Sequence, residues 1–485
     1  MSTTGEIVLT VVNLFLGTIV GFYYNEWKNK RRKRTEQQRI NTENNQLYEA
    51  FMEFDKDKSA NRGIVHIAHG VPYFEPTAQT TYVDNEMVFY YPIPEANGLK
   101  EELALYGFVQ TNKYKLEYAD RYNCLSHEFP FKANFDEAFS CFGNYSWDKE
   151  TKTEIAQIAN EVANEFLYEL KDGKPRFNGS MLGVKNIILN RDDLHDERST
   201  LRMEYYISDY FSFRVFAKFY IKHINEFRAL HDELGAIDVT VLQKLSMPFL
   251  SSFGVATIII GTAGNIFDNE DKLYATDIII SGQRGGNVIV DRNRIHFGMN
   301  EAFSYSMDSD HNNTPSYTHC VFRGITEELL GYKLDSPKGK QYEQYIGTPY
   351  FLDLIFDSNK CEMGIIAYIK LKLSMNENEG FTPKEFLDLY NEAKDRTLET
   401  ESLKFTQLSD LDMVINENEK EMSNSYYVAL KNLKRRIGVG SIYYMVKTQK
   451  QVMENASKWL DTIQSLTSRR KSMIQNGQQL NNSQT

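Results

Sequence analysis

An apolar run from Ile7 to Tyr24, followed at once by Lys28, Lys30, Arg31, Arg32, Lys33 and Arg34, constrains this chain more than any other feature. Its 18 residues, wound as a helix, rise roughly 27 Å, close to the thickness of a bilayer's hydrocarbon core. The run therefore predicts a single transmembrane helix over 7–24. The basic cluster follows the run, and the six residues before it carry no Lys or Arg, so the positive-inside bias puts residues 28–485 in the cytoplasm. Phe22, Tyr23, Tyr24 and Trp27 fall where an aromatic belt meets the headgroups. A cleaved signal peptide has its basic residues first and a small-residue cleavage site afterwards, and this segment has neither.

Asn13, Gly17 and Gly21 recur at every fourth position and share one face of that helix. Gly17 and Gly21 form a GxxxG pair that lets two backbones approach, and Asn13 can hydrogen-bond across such a contact. This face predicts a homo-oligomer, with the structural alternative that small residues are simply common in membrane helices.

With 485 residues, 41% hydrophobic and 13% aromatic, the chain is long enough for two or three packed cores. Its net charge of −11 becomes more negative once the juxtamembrane cluster is set aside, which argues against a large nucleic-acid partner. A nucleotide ligand must then sit in a local pocket. Cys124, Cys141, Cys320 and Cys361 are far apart and lack zinc-finger spacing, so neither a disulfide framework nor a structural zinc is indicated.

Residues 25–59 read as a basic juxtamembrane linker and 60–165 as an α/β region, with a strand near Met87–Tyr91 and helices over Glu101–Tyr106 and Glu154–Leu170. Stronger strand signals follow in 177–372: Gly183–Leu189, Arg202–Tyr206, Val255–Gly261, Leu273–Ser281 and Asn287–Asp291, with a helix over Phe213–Asp232. Residues 373–473 read as helical, opening at Thr382-Pro383-Lys384-Glu385 with an N-cap and Pro at N1, and 474–485 as a disordered tail. The fold class is mixed α/β (α+β).

The chemistry-bearing segment runs from Leu273 to Gly331. A strand enters Gln283-Arg284-Gly285-Gly286, the chain returns, Phe297-Gly298-Met299-Asn300-Glu301 follows, and a polar loop leads to Arg323-Gly324-Ile325-Thr326-Glu327-Glu328-Leu329-Leu330-Gly331. Adjacent carboxylates on the first turns of a helix can hold Mg²⁺, which neutralises pyrophosphate oxygens. Over 177–372 this arrangement resembles the Nudix superfamily, whose signature is G-x5-E-x7-R-E-U-x-E-E-x-G-U, with U aliphatic. Arg323, Ile325, Glu327 and Glu328 keep its spacing. Gly324 replaces the Glu after Arg, the last Gly comes one residue late, and 24 residues separate Gly298 from Arg323, more than the signature holds.

The resemblance implies Glu327 and Glu328 as metal ligands and, in a hydrolase, Glu301, Glu327 and Glu328 as the catalytic acids. Arg284, Arg292, Arg294, His296 and Arg323 are the candidate phosphate ligands. The missing carboxylate at Gly324 favours a nucleotide binder over a pyrophosphohydrolase. A single anchor joined to such a domain resembles the membrane-anchored Nudix-like effectors of bacterial cyclic-oligonucleotide antiphage signalling (CBASS). That resemblance implies an inner-membrane, single-pass protein whose cytoplasmic domain binds a cyclic or linear nucleotide, oligomerises and damages the membrane. The alternative is a membrane-tethered, Mg²⁺-dependent hydrolase of a nucleoside diphosphate derivative. No GxSxG elbow, GxxxxGK[ST] loop or GxGxxG turn offers another chemistry.

Overall fold

The segment Phe253–Thr262 is apolar with almost no polar alternation because both of its faces are covered. Val255 and Ile259 enter one hydrophobic core, while Ile258 and Ile260 enter another on the opposite side. This strand is central to the larger of two sheets.

The protein's structure, a computed structural model, describes residues 64–66, 81–88, 90–108, 148–173, 176–191, 199–223, 252–264, 266, 273–284, 293–309, 314–331, 337–357, 362–393, 400–443 and 454–468. The first elements in chain order are β1 (Ile64–His66), β2 (Thr81–Val88), α1 (Leu99–Leu105), α2 (Lys149–Lys171), β3 (Ser180–Arg191), β4 (Ser199–Asp209) and α3 (Tyr210–Lys222). Next come β5 (Phe253–Thr262), β6 (Ile278–Arg284), β7 (Ile295–His296), β8 (Met299–Ala302), the single turn α4 (Tyr305–Asp308), α5 (Tyr317–Gly324) and α6 (Pro337–Glu343). The chain continues through β9 (Tyr350–Asp357), β10 (Glu362–Lys372), α7 (Pro383–Glu392), β11 (Thr400–Gln407), α8 (Leu411–Glu417), α9 (Asn424–Tyr443) and α10 (454–468).

The larger sheet runs β1-β9-β10-β5-β6-β11, and the smaller one β2-β4-β3. β5 and β10 are parallel from Phe253 to Thr262, whereas β5 and β6 are antiparallel and pair only over Ile259–Gly261. Below that contact the sheet forks. β6 pairs with β7 through Gly282 and His296, and β5 pairs with β8 through Thr257 and Met299. Gly298 occupies the fork, where a Cβ would lie 2.6 Å from the Ile280 carbonyl oxygen and 2.5 Å from Ile259 Cγ1. Only a glycine fits so close a crossing.

Helices α8 and α9 supply Leu411, Ile415, Tyr426 and Leu430 to one core. The opposite core joins α2, α3 and the small sheet to α5. The mixed α/β class read from the sequence is the class observed. Strand pairing, however, crosses the divisions expected at 165–177 and 372, since β2 joins β3 and β4, and both β1 and β11 edge the larger sheet. β11 also replaces helix in the 373–473 stretch. Leu403 and Phe405 face one core while Ser402, Lys404 and Thr406 alternate with them, so the strand is specified by a period of two.

Among the described residues no helix is long and apolar enough to cross a membrane. The 7–24 segment with Asn13, Gly17 and Gly21, the 25–59 linker, Asn287–Asp291, Arg292 and the 474–485 tail lie outside the described residues.

Candidate functional site

Helix α5 starts where the Ser316 hydroxyl accepts the His319 N–H at 3.3 Å, and it lays Tyr317, Cys320, Val321 and Gly324 against the sheet. It continues as a π-helix over Ile325–Leu330 and stops at Gly331, whose φ of 61° is left-handed. A π turn holds more residues than an α turn. The left-handed Gly331 caps and ends the helix.

Gly324 is a packing residue. A Cβ there would lie 2.6 Å from Met299 Sδ and 3.0 Å from Glu301 Cβ. The carboxylate that the signature would place after Arg323 has no room while β8 lies where it does.

Arg323 is the electrostatic centre of this region, at 2% exposure. Its Nε and Nη2 each donate to an Asp308 oxygen at 2.8 Å, and Nη2 also donates to the Ala302 carbonyl at 2.8 Å. Nη1 lies 2.7 Å from Glu301 Oε1 and 3.5 Å from Glu327 Oε2. Arg323 thus faces inward onto carboxylates, which corrects its sequence assignment as a phosphate ligand: its nitrogens are occupied from within the fold. Glu328 accepts the Asn300 N–H through both oxygens, at 3.3 and 3.4 Å. The three acids picked from sequence, Glu301, Glu327 and Glu328, are therefore gathered where β8 meets α5. Burial raises the Glu301 carboxyl to about 8, with Glu327 and Asp308 pushing the same way and Arg323 opposing.

Arg284, Arg294 and His296 lie on the other prong of the fork. Arg284 and Arg294 are half-buried at the end of the β6–β7 hairpin, where the Arg284 N–H donates to the Arg294 carbonyl at 2.9 Å. Arg294 Nη1 also reaches the Met422 carbonyl at 3.4 Å. His296 is buried, its ring edge-on to Phe297 at 5.2 Å, so it belongs to the core and not to a mouth.

Carboxylate oxygens are the right donors for Mg²⁺, and Glu327, Glu328 and Glu301 are the residues that would hold it. They do not converge in advance: among the described residues no three His, Cys, Asp or Glu side chains form a metal-holding group. Sequence reasoning missed Asp308. It lies in a polar loop with no periodicity, and the only signal available was an acid inside a connection longer than the signature's.

No family model and no curated protein matches the chain. Among solved structures there is a likeness to the crystal structure of DR0079 from Deinococcus radiodurans, at 7% identity and a TM-score of 0.22, covering 38% of this chain and 84% of that one. A likeness at that level carries no argument about fold or function.

Proposed function

We propose that the chain is a membrane-anchored nucleotide sensor of the CBASS effector type, with a single transmembrane helix over 7–24 and a Nudix-like cytoplasmic domain that binds a cyclic or linear nucleotide. Binding draws copies together at the inner membrane, the anchors cluster through the Gly17 and Gly21 face, and the membrane is damaged. The observation that carries the binding half of this reading is Gly324, packed on Met299 and Glu301 with no room for a further carboxylate. A site with fewer acids loses hydrolytic capacity first, because hydrolysis needs a base and a charged metal shell while binding needs shape and cations.

The hydrolase reading is favoured by one feature, the gathering of Glu301, Glu327 and Glu328 where β8 meets the site helix, with burial raising the Glu301 carboxyl. The two readings separate in one experiment. Full-length protein in detergent micelles is incubated with Mg²⁺ and a panel of cyclic and linear nucleotides, with binding and product both measured. Tight binding without product is expected. Turnover that disappears in the Glu327→Gln, Glu328→Gln double variant would move the assignment to the hydrolase, and neither binding nor turnover would remove both.

A further inference from the structure

Tyr345 carries a hydroxyl that the fold buries and leaves unpaired. The residue is 6% exposed, and among the described residues its oxygen has no hydrogen-bond partner. A buried polar atom in that state costs stability until something pairs with it, and its surroundings decide what can. Helix α6 and the turn after it bring Tyr342 and Tyr345 together, with ring centres 6.4 Å apart and both rings packed on Phe381. The Tyr342 hydroxyl donates to Glu385 in the first turn of α7. Gln341 Nε2 donates to Asn378 Oδ1 at 3.2 Å, which ties to α6 the turn that carries Glu379, and Asn376 Nδ2 donates to Glu379 Oε2 at 3.0 Å. Burial raises the Tyr345 pKa, and Glu385 and Glu379 add to it, so the hydroxyl stays neutral beside two carboxylates. The neighbouring lysines are engaged elsewhere: Lys384 Nζ lies 2.7 Å from Asp388, and Lys372 Nζ donates to the Ala263 carbonyl at 3.1 Å.

We infer that Tyr345, Glu385 and Glu379 form a binding site for a primary alkylammonium ion, such as one end of a diamine. An alkylammonium head has three N–H donors, and two carboxylates with one phenol oxygen offer three acceptors. A metal ion suits the group less, since among the described residues no three His, Cys, Asp or Glu side chains converge. A quaternary ammonium has no N–H to give the hydroxyl. The cover over Tyr345 is thin: Glu379 is exposed and Glu385 half-buried, so a shift of either side chain admits the cation.

The test is isothermal titration of full-length protein in nonionic detergent micelles with n-butylammonium and with tetramethylammonium, which has the same charge and no N–H. Saturable binding of n-butylammonium is expected, with tetramethylammonium at least about tenfold weaker. Tyr345→Phe removes only the unpaired hydroxyl, so it should weaken n-butylammonium about tenfold while the melting temperature holds or rises. Glu379→Gln, at an exposed position, should weaken it as well and serves if Tyr345→Phe does not fold. No saturable binding up to about 10 mM, equal affinity for the two cations, or wild-type affinity in the folded variant overturns the inference.

Discussion

Asp308 and Asp277 are both shut away from solvent, at 0% and 1% exposure, and the protein treats the two carboxylates differently. Asp308 meets the edge of a guanidinium through two 2.8 Å bonds, and the same guanidinium serves Glu301 and Glu327. Asp277, beside β6, accepts the Tyr274 N–H at 2.8 Å and the Thr262 hydroxyl, with Lys370 as the nearby cation. Burial raises its carboxyl to about 7 against all three of those influences. Burial outweighs the dipoles and the lysine at Asp277, and it outweighs even an arginine 2.7 Å away at Glu301, so a nearby cation alone does not keep a buried carboxyl in its ordinary range.

The comparison breaks most visibly at its charged centre. Arg323→Met keeps most of the side-chain volume and leaves Asp308 and Glu301 buried without their cation, so it should cost about 3–5 kcal/mol in denaturant unfolding. A loss below about 1 kcal/mol would mean that the acids simply take up protons and that the fork is dispensable.

Asp277 gives the next effect, through pH. Its folded pKa is raised above the ordinary 3.8, so between about 3.8 and 7 the folded state holds a proton that the unfolded state releases. Stability from this group is therefore full at low pH and is lost as pH rises through that window, by an amount on the order of 4 kcal/mol. Asp277→Asn cannot titrate, so its unfolding free energy should fall less steeply from pH 4 to pH 7.5 than that of wild type. Parallel curves for the two proteins would show that Asp277 ionises normally inside the fold.

What could be read from the sequence were the features with local periodicity. Helix α2 follows from Ile155, Ile158, Ala159, Val162 and Phe166 at three- and four-residue spacing, and from Asp148 capping the Thr151 N–H at 2.7 Å. The Thr382 cap of α7 was equally plain, and its hydroxyl accepts the Glu385 N–H at 3.3 Å. Glu327 and Glu328 were picked from their spacing after Arg323, and the structure places both on the π turn that continues the site helix. The inward turn of Arg323 was hidden, because it depends on Asp308, 15 residues away, and on Ala302, 21 residues away. The fork was hidden too, since the pairing of β8 with β5 instead of β6 is decided by tertiary packing at Gly298. β11 was lost among helical neighbours because its apolar face consists of little more than Leu403 and Phe405.

The smallest expected effect sharpens the contrast by removing a neutral pair. Tyr317, the first residue of α5, hydrogen-bonds Tyr205 of the small sheet hydroxyl to hydroxyl, and both rings are buried with Phe253. This is where the small sheet touches the helix that carries Arg323. Tyr317→Phe keeps the ring and its edge contacts with Phe303 and Phe351, and leaves the Tyr205 hydroxyl its contact with Met203 Sδ at 3.2 Å. A neutral hydrogen bond replaced in this way should cost about 1 kcal/mol, several-fold less than Arg323→Met. The ranking follows from desolvation: a hydroxyl left with a weak sulfur partner is a modest defect, whereas a carboxylate left without its cation is a large one. Denaturant midpoints of the two variants, measured side by side at pH 7, decide it. If Tyr317→Phe proves as damaging as Arg323→Met, the stability of the site helix comes mainly from its seam with the small sheet, and the ion cluster is secondary.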